Sequence, residues 1–495
     1  MSKKIMKTLP LSDALCKPNQ KNAYIRSYTV HWQQPESGYH YLEYSYNRRN
    51  WYALNGGNSI SLTGHELSFI SQIIEKDPDG VEISLPDLKK LTSRYGAPEP
   101  IYLSKIEDLQ ETIRHNKESL PPTIHVEYTN GMEEDRPLIW EGKTAWIKEP
   151  RYQTPLIMHR ADPYIYKHSD GTYYFMGSYT DPDHNLDGKY QYLYLFLRRS
   201  ATLSGLADGS SAHEERIVYE RKPINGGSAS PHLWAPELHF IHNKWYIYYT
   251  TTISAESSWR IRPHCLECQG TDPLTDEWIE KGPVVTTVEG DLAFTDFSLD
   301  HTYFQHKGRD YFIWAQKTNN ISDIFIAELE NPWTICTPSV LLSHPEDNWE
   351  CHGFAVNEGP SLIKNGQQIY LTFSASGTDA TYCMGLLTAD SDANLLSPAS
   401  WRKYPHPVFQ SSRETSCYGP GHNSFTRSED NVDDLIVYHA RNDARYLGEE
   451  DYQPLYDAGR NAYISKVFWN PDGSPAFSVP GSSITDDPAN LRIDL

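Results

Sequence analysis

One phrase recurs through the last two thirds of the chain: a turn, then a run of aromatic and β-branched residues. It reads Asp170-Gly-Thr-Tyr-Tyr-Phe, His242-Asn-Lys-Trp-Tyr-Ile-Tyr-Tyr, Lys307-Gly-Arg-Asp-Tyr-Phe-Ile-Trp, Asn365-Gly-Gln-Gln-Ile-Tyr-Leu-Thr-Phe and, more faintly, Asp433-Asp-Leu-Ile-Val-Tyr. Aligned on Tyr174, Tyr246, Tyr311, Tyr370 and Ile436, the copies stand 72, 65, 59 and 66 residues apart. A turn followed by such a run signals a hairpin, and a near-constant period marks a radial or stacked repeat. The period exceeds the roughly 40–50 residues of the commoner blade repeats, leaving room for four strands and generous loops. The spacing therefore predicts an all-β five-bladed β-propeller over residues 151–480. A β-sandwich with look-alike hairpins is the competing architecture, although sandwiches do not demand so regular a long period.

Residues 1–150 read differently and are expected to form an α+β accessory region. Strand patterns flank turns at Asn47-Arg-Arg-Asn and Asn55-Gly56-Gly57. Helix starts are offered by Thr63 with Glu66, Ser84 with Asp87 and Ser104 with Glu107. Asp77-Pro-Asp-Gly is a turn rather than a calcium loop, because Gly80 is the fourth loop residue instead of the sixth and Leu88 stands where the terminal Glu belongs. Residues 481–495 read as a C-terminal tail.

With 65 acidic and 44 basic residues, the chain carries a formal charge of −21. That argues against nucleic acid and anionic membranes, which attract basic surfaces. There is no apolar run of about 18 residues to span a bilayer. Lys3, Lys4 and Lys7 are not followed by an apolar segment, and seven cysteines are sparse for 495 residues. Together these favour a cytoplasmic protein without a disulfide framework. Cys265 and Cys268 beside His264 lack the second pair that a zinc site needs and read as two unrelated thiols.

Upstream of each hairpin lies one ionisable residue at a similar distance. Asp162 precedes Tyr174 by 12 residues, Glu237 precedes Tyr246 by 9, and Asp300 precedes Tyr311 by 11. Glu358 precedes Tyr370 by 12, and His422 precedes Ile436 by 14. Taken singly, each acid reads more readily as a turn or cap residue. In a propeller, however, the innermost strands line one channel, so five equivalent positions would bring four carboxylates and an imidazole to a single pocket. Such crowding of like charge costs free energy unless protons or cations offset it.

Paired carboxylates are what glycoside hydrolysis requires: one protonated to serve the leaving oxygen, one ionised to activate water or attack carbon. A third carboxylate nearby would raise the acid's pKa by repulsion. Trp234, Trp259, Trp314, Trp349 and Phe354 fall in or near these segments, as core residues or as faces for sugar rings.

These same residues carry a resemblance. His159-Arg-Ala-Asp-Pro, His232-Leu-Trp-Ala-Pro-Glu-Leu-His, Ser298-Leu-Asp, Glu358-Gly-Pro and Gly419-Pro-Gly-His-Asn-Ser together resemble glycoside hydrolase family 43 over residues 155 to about 478. The resemblance implies a five-bladed propeller that inverts anomeric configuration. It makes Asp162 the general base, Glu237 the general acid and Asp300 the residue that orients that acid and tunes its pKa. Beside it, the residues themselves offer Trp234, Phe354, Glu358 and Arg441 as candidate sugar contacts, the aromatics reading more readily as core and Arg441 as a surface residue. The resemblance also implies a hydrated calcium ion near His422, with no cofactor required for the chemistry. The motif versions are most similar to the arabinofuranosidase members, which remove terminal α-L-arabinofuranosyl units from oligosaccharides; β-xylosidase is the alternative within the family. Fructan-cleaving propellers usually carry an early Asn-Asp-Pro-Asn-Gly motif, which this chain lacks. A lectin-like propeller would have no need of a protonated acid beside ionised ones.

Overall fold

The computed structural model describes residues 100–115, 120–179, 181–186, 189–220, 232–449, 452–485 and 488–494, with the shorter stretches 3–4, 20–27, 39–40, 42–45, 47–49, 52–54, 60–61, 80–88 and 91. The expected helix start at Thr63 and most of the Asp77 turn lie outside these residues.

Five antiparallel sheets follow one another along the chain. The first contains Arg160–Lys167, Tyr173–Tyr179, Tyr194–Ser200 and His213–Glu220; the second Trp234–Ile241, Lys244–Thr252, Ile261–Cys268 and Trp278–Pro283. The third is built on Phe297–His306, Arg309–Thr318, Ile321–Asn331 and Val340–Ser343. The fourth contains Asn357–Asn365, Gln368–Ala375, Cys383–Asp390 and Trp401–Lys403, and the fifth Tyr418–Arg427, Asp434–Arg441, Asn461–Trp469 and Pro475–Phe477. The first strand of each sheet touches the first strand of the next, and that of the fifth touches that of the first.

The recurring phrase forms the hairpin between first and second strands. Its turns use residues that tolerate a left-handed backbone: His242 and Asn243 at φ 47° and 65°, Lys307 and Gly308 at 51° and 75°. Two central residues with positive φ make the tight turn whose twist matches the flanking strands. The aromatic runs then fill the core between sheets. Trp314 is wholly buried against Phe294, Phe312 and Phe325, and removing such a ring costs about 3–5 kcal/mol. Cys268 and Cys265 pack in two different clusters, as expected of unrelated thiols.

In the N-terminal region, a six-stranded sheet runs Lys3–Lys4, Leu103–Ile106, Thr123–Tyr128, Glu133–Glu141, Thr144–Ile147 and Arg492–Asp494. Residues 492–494, expected in a free tail, are thus its last strand, with Ala145 opposite Ile493. A helix, Leu109–His115, starts at Asp108, whose carboxylate accepts the N–H groups of Gln110 and Glu111. Ser104, expected to start a helix, lies inside a strand. Ser84 and Asp87 do pair as a cap. Phe468 of the fifth sheet shares this region's core with Ile124, Val126 and Tyr128. Beside it, Arg136 grips Asp433 with both terminal nitrogens, at 2.6 and 3.0 Å. Glu149 and Lys466 complete that buried network.

Candidate active site

Each of the five first strands is broken by a shift of register, and the shift falls at the residues singled out by spacing. It lies between Ala161 and Tyr164, Trp234 and Glu237, Leu299 and His301, Glu358 and Ser361, and Gly421 and Ser424. At each shift one residue has a left-handed backbone: Asp162 (φ 52°), Ala235 (44°), Asp300 (43°), Gly359 (55°) and His422 (42°). Non-glycine residues adopt this conformation only where the surroundings impose it, at about 1–3 kcal/mol each. The bulge turns a side chain out of the alternating strand pattern. Gly359 is required twice over, because a Cβ there would also meet His422 Cγ at 3.1 Å.

The bulges bring the sequence-derived residues together. Asp162 Oδ1 lies 3.3 Å from His422 Nδ1, which is 3.5 Å from Asp300 Oδ2. Asp162 also meets groups that spacing did not reveal. Ser178 donates its hydroxyl to Oδ2 at 2.5 Å, Arg460 Nη1 lies 3.4 Å from Oδ1, and the Asp162 N–H donates to His439 Nδ1 at 3.1 Å. Ser178 accepts the N–H of Ala235 at 2.7 Å, tying the Asp162 strand to that of Glu237. Glu237 Oε2 is 2.8 Å from His239 Nε2, and Tyr382 donates to Glu358 Oε1 at 2.8 Å.

These surroundings drive the acids apart. Burial alone would raise Asp162, but His422, Arg460 and the hydrogen bond with His439 more than offset it, holding its carboxyl far below the usual range. Glu237 has no such support: burial pushes it up to about 8, against a hydrogen bond with Thr302 and the proximity of His422. Burial, then Glu358 and Asp162, raise Asp300 well above the carboxylate range, against Arg460 and the Gly359 N–H. Burial likewise lifts Glu358 to about 7. Burial lowers His422, and His439 to about 3; Arg460 stays charged throughout. The surroundings thus favour the ionised form of Asp162 and the protonated forms of Glu237 and Asp300. The expected cause of the acid's high pKa, repulsion from a third carboxylate, is replaced by burial.

Trp234 is nearly buried, its ring centroid 5.7 Å from Tyr192 and 6.2 Å from that of the exposed Trp259. Phe354 is half exposed, with Lys317 Nζ 5.3 Å from its ring centre. Arg441 corrects an expectation: it is neither at the surface nor open to a sugar. It is 0% exposed, with Nε on Asp457 at 2.9 Å. The arginine that reaches the acids is Arg460, nineteen residues on.

His422 does not sit in a protein cage for a cation. Its Nδ1 faces Asp162 and Asp300, and no group of three or more His, Cys, Asp or Glu among the described residues is arranged to hold a metal. Calcium prefers several oxygen ligands, so an ion there would depend on water for its shell.

The profile of glycosyl hydrolases family 43 matches residues 152–475, and the chain belongs to that family. It is 43% identical over 346 residues to alpha-L-arabinofuranosidase 43 of Humicola insolens, a match covering 69% of this chain and 66% of that one. It is 42% identical over 332 residues to the extracellular exo-alpha-(1->5)-L-arabinofuranosidase of Streptomyces avermitilis, covering 66% and 63%. The matched part thus spans just under two thirds of these relatives. The crystal structure of alpha-L-arabinofuranosidase from Lactobacillus brevis aligns with a TM-score of 0.59 at 41% identity, over 66% of this chain and 97% of that one. The cytoplasmic expectation does not stand, since the Streptomyces relative is extracellular by name. Sparse cysteines do not fix the compartment, because a chain large enough to bury a full core folds without disulfides on either side of a membrane. No helix among the described residues is long and apolar enough to cross a membrane.

Proposed function

We propose that the five sheets are the blades of a closed five-bladed β-propeller, and that the chain is an exo-acting glycosidase removing terminal α-L-arabinofuranosyl units from oligosaccharides with inversion. The contact of the fifth sheet's first strand with that of the first supports closure. One feature supports the mechanism above the rest: the surroundings hold the Asp162 carboxyl far below the usual range while burial raises Glu237 to about 8. Environments that push two carboxyls apart define a base and an acid.

In this reading Asp162 takes a proton from a water molecule as that oxygen forms its bond to the anomeric carbon. Glu237 gives its proton to the glycosidic oxygen as the bond to the leaving group breaks. Ser178 and Arg460 hold the Asp162 carboxylate in place and favour its charge, and His439 accepts its backbone N–H. Asp300 and His422 hold the pocket's geometry, and no step is routed through a cation. The relatives' names favour arabinofuranosides over xylosides. Incubation with p-nitrophenyl α-L-arabinofuranoside and β-D-xyloside tests this: release from the arabinoside is expected to exceed that from the xyloside by at least about tenfold. The reverse preference would make the chain a β-xylosidase, and release from neither would leave a sugar-binding propeller. Following the first product by NMR is expected to show β-arabinofuranose; α-arabinofuranose would refute inversion.

A further inference from the structure

His239 closes the Trp-Ala-Pro-Glu-Leu-His phrase and has no part in the reaction as described. Its ring is buried at 4% exposure and bridges two groups. Nε2 lies 2.8 Å from Glu237 Oε2, and Nδ1 lies 3.3 Å from the hydroxyl of Tyr164. Tyr164 stands on the strand that carries Asp162. Tyr248, from the second strand of the same sheet as His239, and Tyr303, from the first strand of the third sheet, each place a ring centroid 5.6 Å from it. His301 also faces it. None of these neighbours is charged at neutral pH: burial raises the tyrosines and lowers His301 to about 3. Burial lowers His239 itself to about 3. It is therefore a neutral imidazole with one N–H and one lone pair.

The direction of the chain of hydrogen bonds follows. Among the described residues, His239 Nδ1 is the one hydrogen-bond partner of the Tyr164 hydroxyl. With the phenol donating, Nδ1 accepts and the imidazole proton stands on Nε2, aimed at Glu237 Oε2. The proton Glu237 carries at rest then sits on Oε1. When it passes to the leaving oxygen, Oε2 gains charge and the bond from Nε2–H becomes charge-assisted, stronger after transfer than before. An interaction that strengthens along the reaction lowers the barrier.

We propose that His239, held in one tautomer by Tyr164, is a positioning residue that fixes which oxygen of Glu237 carries the proton and stabilises the carboxylate left when the proton is given. The proposal rests on the reading of Glu237 as general acid.

The test compares kcat/KM for Glu237→Gln, His239→Leu, His239→Gln and Tyr164→Phe on two substrates. One is 2,4-dinitrophenyl α-L-arabinofuranoside, whose leaving group departs without a proton; the other is (1→5)-linked arabinobiose, whose leaving group needs one. His239→Leu is expected to lose about 100-fold on the disaccharide and under about fivefold on the aryl glycoside. The alkaline limb of its pH–rate profile should move upward, because the Glu237 carboxylate has lost a donor. His239→Gln, whose amide N–H can replace Nε2–H, should recover at least about tenfold of the disaccharide loss. Tyr164→Phe should show a smaller loss with the same selectivity, and it carries the test if His239→Leu does not fold. Equal losses on both substrates, or a Gln variant no better than Leu, would overturn the proposal. If Glu237→Gln is itself unselective, the assignment of the acid fails. If it is selective while the His239 and Tyr164 variants are not, only the positioning role fails.

Discussion

The Ser178 hydroxyl donates to Asp162 Oδ2 at 2.5 Å and accepts the Ala235 N–H at 2.7 Å, so one side chain sets Asp162 against the strand that carries Glu237. Ser178→Ala leaves the carboxylate short of a donor and the Ala235 N–H short of an acceptor. A hydrogen bond to a charged group contributes about 1.5–3 kcal/mol. We expect kcat to fall roughly 10- to 100-fold with KM changed under about threefold. A loss confined to KM would remove Ser178 from the support of the base.

The pH dependence follows from the two acids. Glu237 must hold its proton, so kcat/KM should fall as pH rises through about 8. Asp162 must be ionised and is held far below the usual range, so the rate should persist below about pH 4, where ordinary carboxyls protonate. A profile already half lost at about pH 6 on the alkaline side would contradict the environment described for Glu237.

His422 and Arg460 favour the ionised form of Asp162 despite burial. Arg460→Met should raise the pKa of Asp162 and move the acid limb of the profile upward by at least about one unit. An unmoved limb would assign that support to His422 alone.

Burial, Glu358 and Asp162 raise the pKa of Asp300. Asp300→Asn keeps the shape of the group without the acid, while burial rather than a neighbouring charge holds Glu237 high. Turnover should fall while the alkaline limb stays in place. A shift of that limb to lower pH would restore charge repulsion as the source of the acid's raised pKa.

Much of this site was legible in the chain because the repeat encodes it. The hairpin period located five first strands, and the ionisable residue before each hairpin located the bulges at Asp162, Glu237, Asp300, Glu358 and His422. What the period could not show were partners lying across a hairpin or on loops. Ser178 stands directly opposite Ala161, and His439 opposite Gly421. Counting across each turn from the bulge would have found both. Arg460 lies just before the strand Asn461–Trp469, outside the repeated phrase, and no local pattern marks it. Arg441 drew attention in its place, since a sequence shows an arginine's charge but not its partner Asp457.

The buried charges between the N-terminal region and the fifth sheet make a stability prediction. Arg136 is 1% exposed and paired with Asp433 and Glu149. Arg136→Met leaves those carboxylates with Lys466 as their cation and Glu149 with the Tyr128 hydroxyl. Breaking a buried pair costs about 3–5 kcal/mol. A urea midpoint unchanged from wild type would show that the region contributes nothing to the stability of the five sheets.

The most direct test of the central claim is turnover of (1→5)-linked arabinobiose by Asp162→Asn and Glu237→Gln, each confirmed folded by circular dichroism. Loss of either proton-transfer group should reduce kcat by at least about 1,000-fold. Activity within about tenfold of wild type in either variant would contradict the assignment of Asp162 as base and Glu237 as acid.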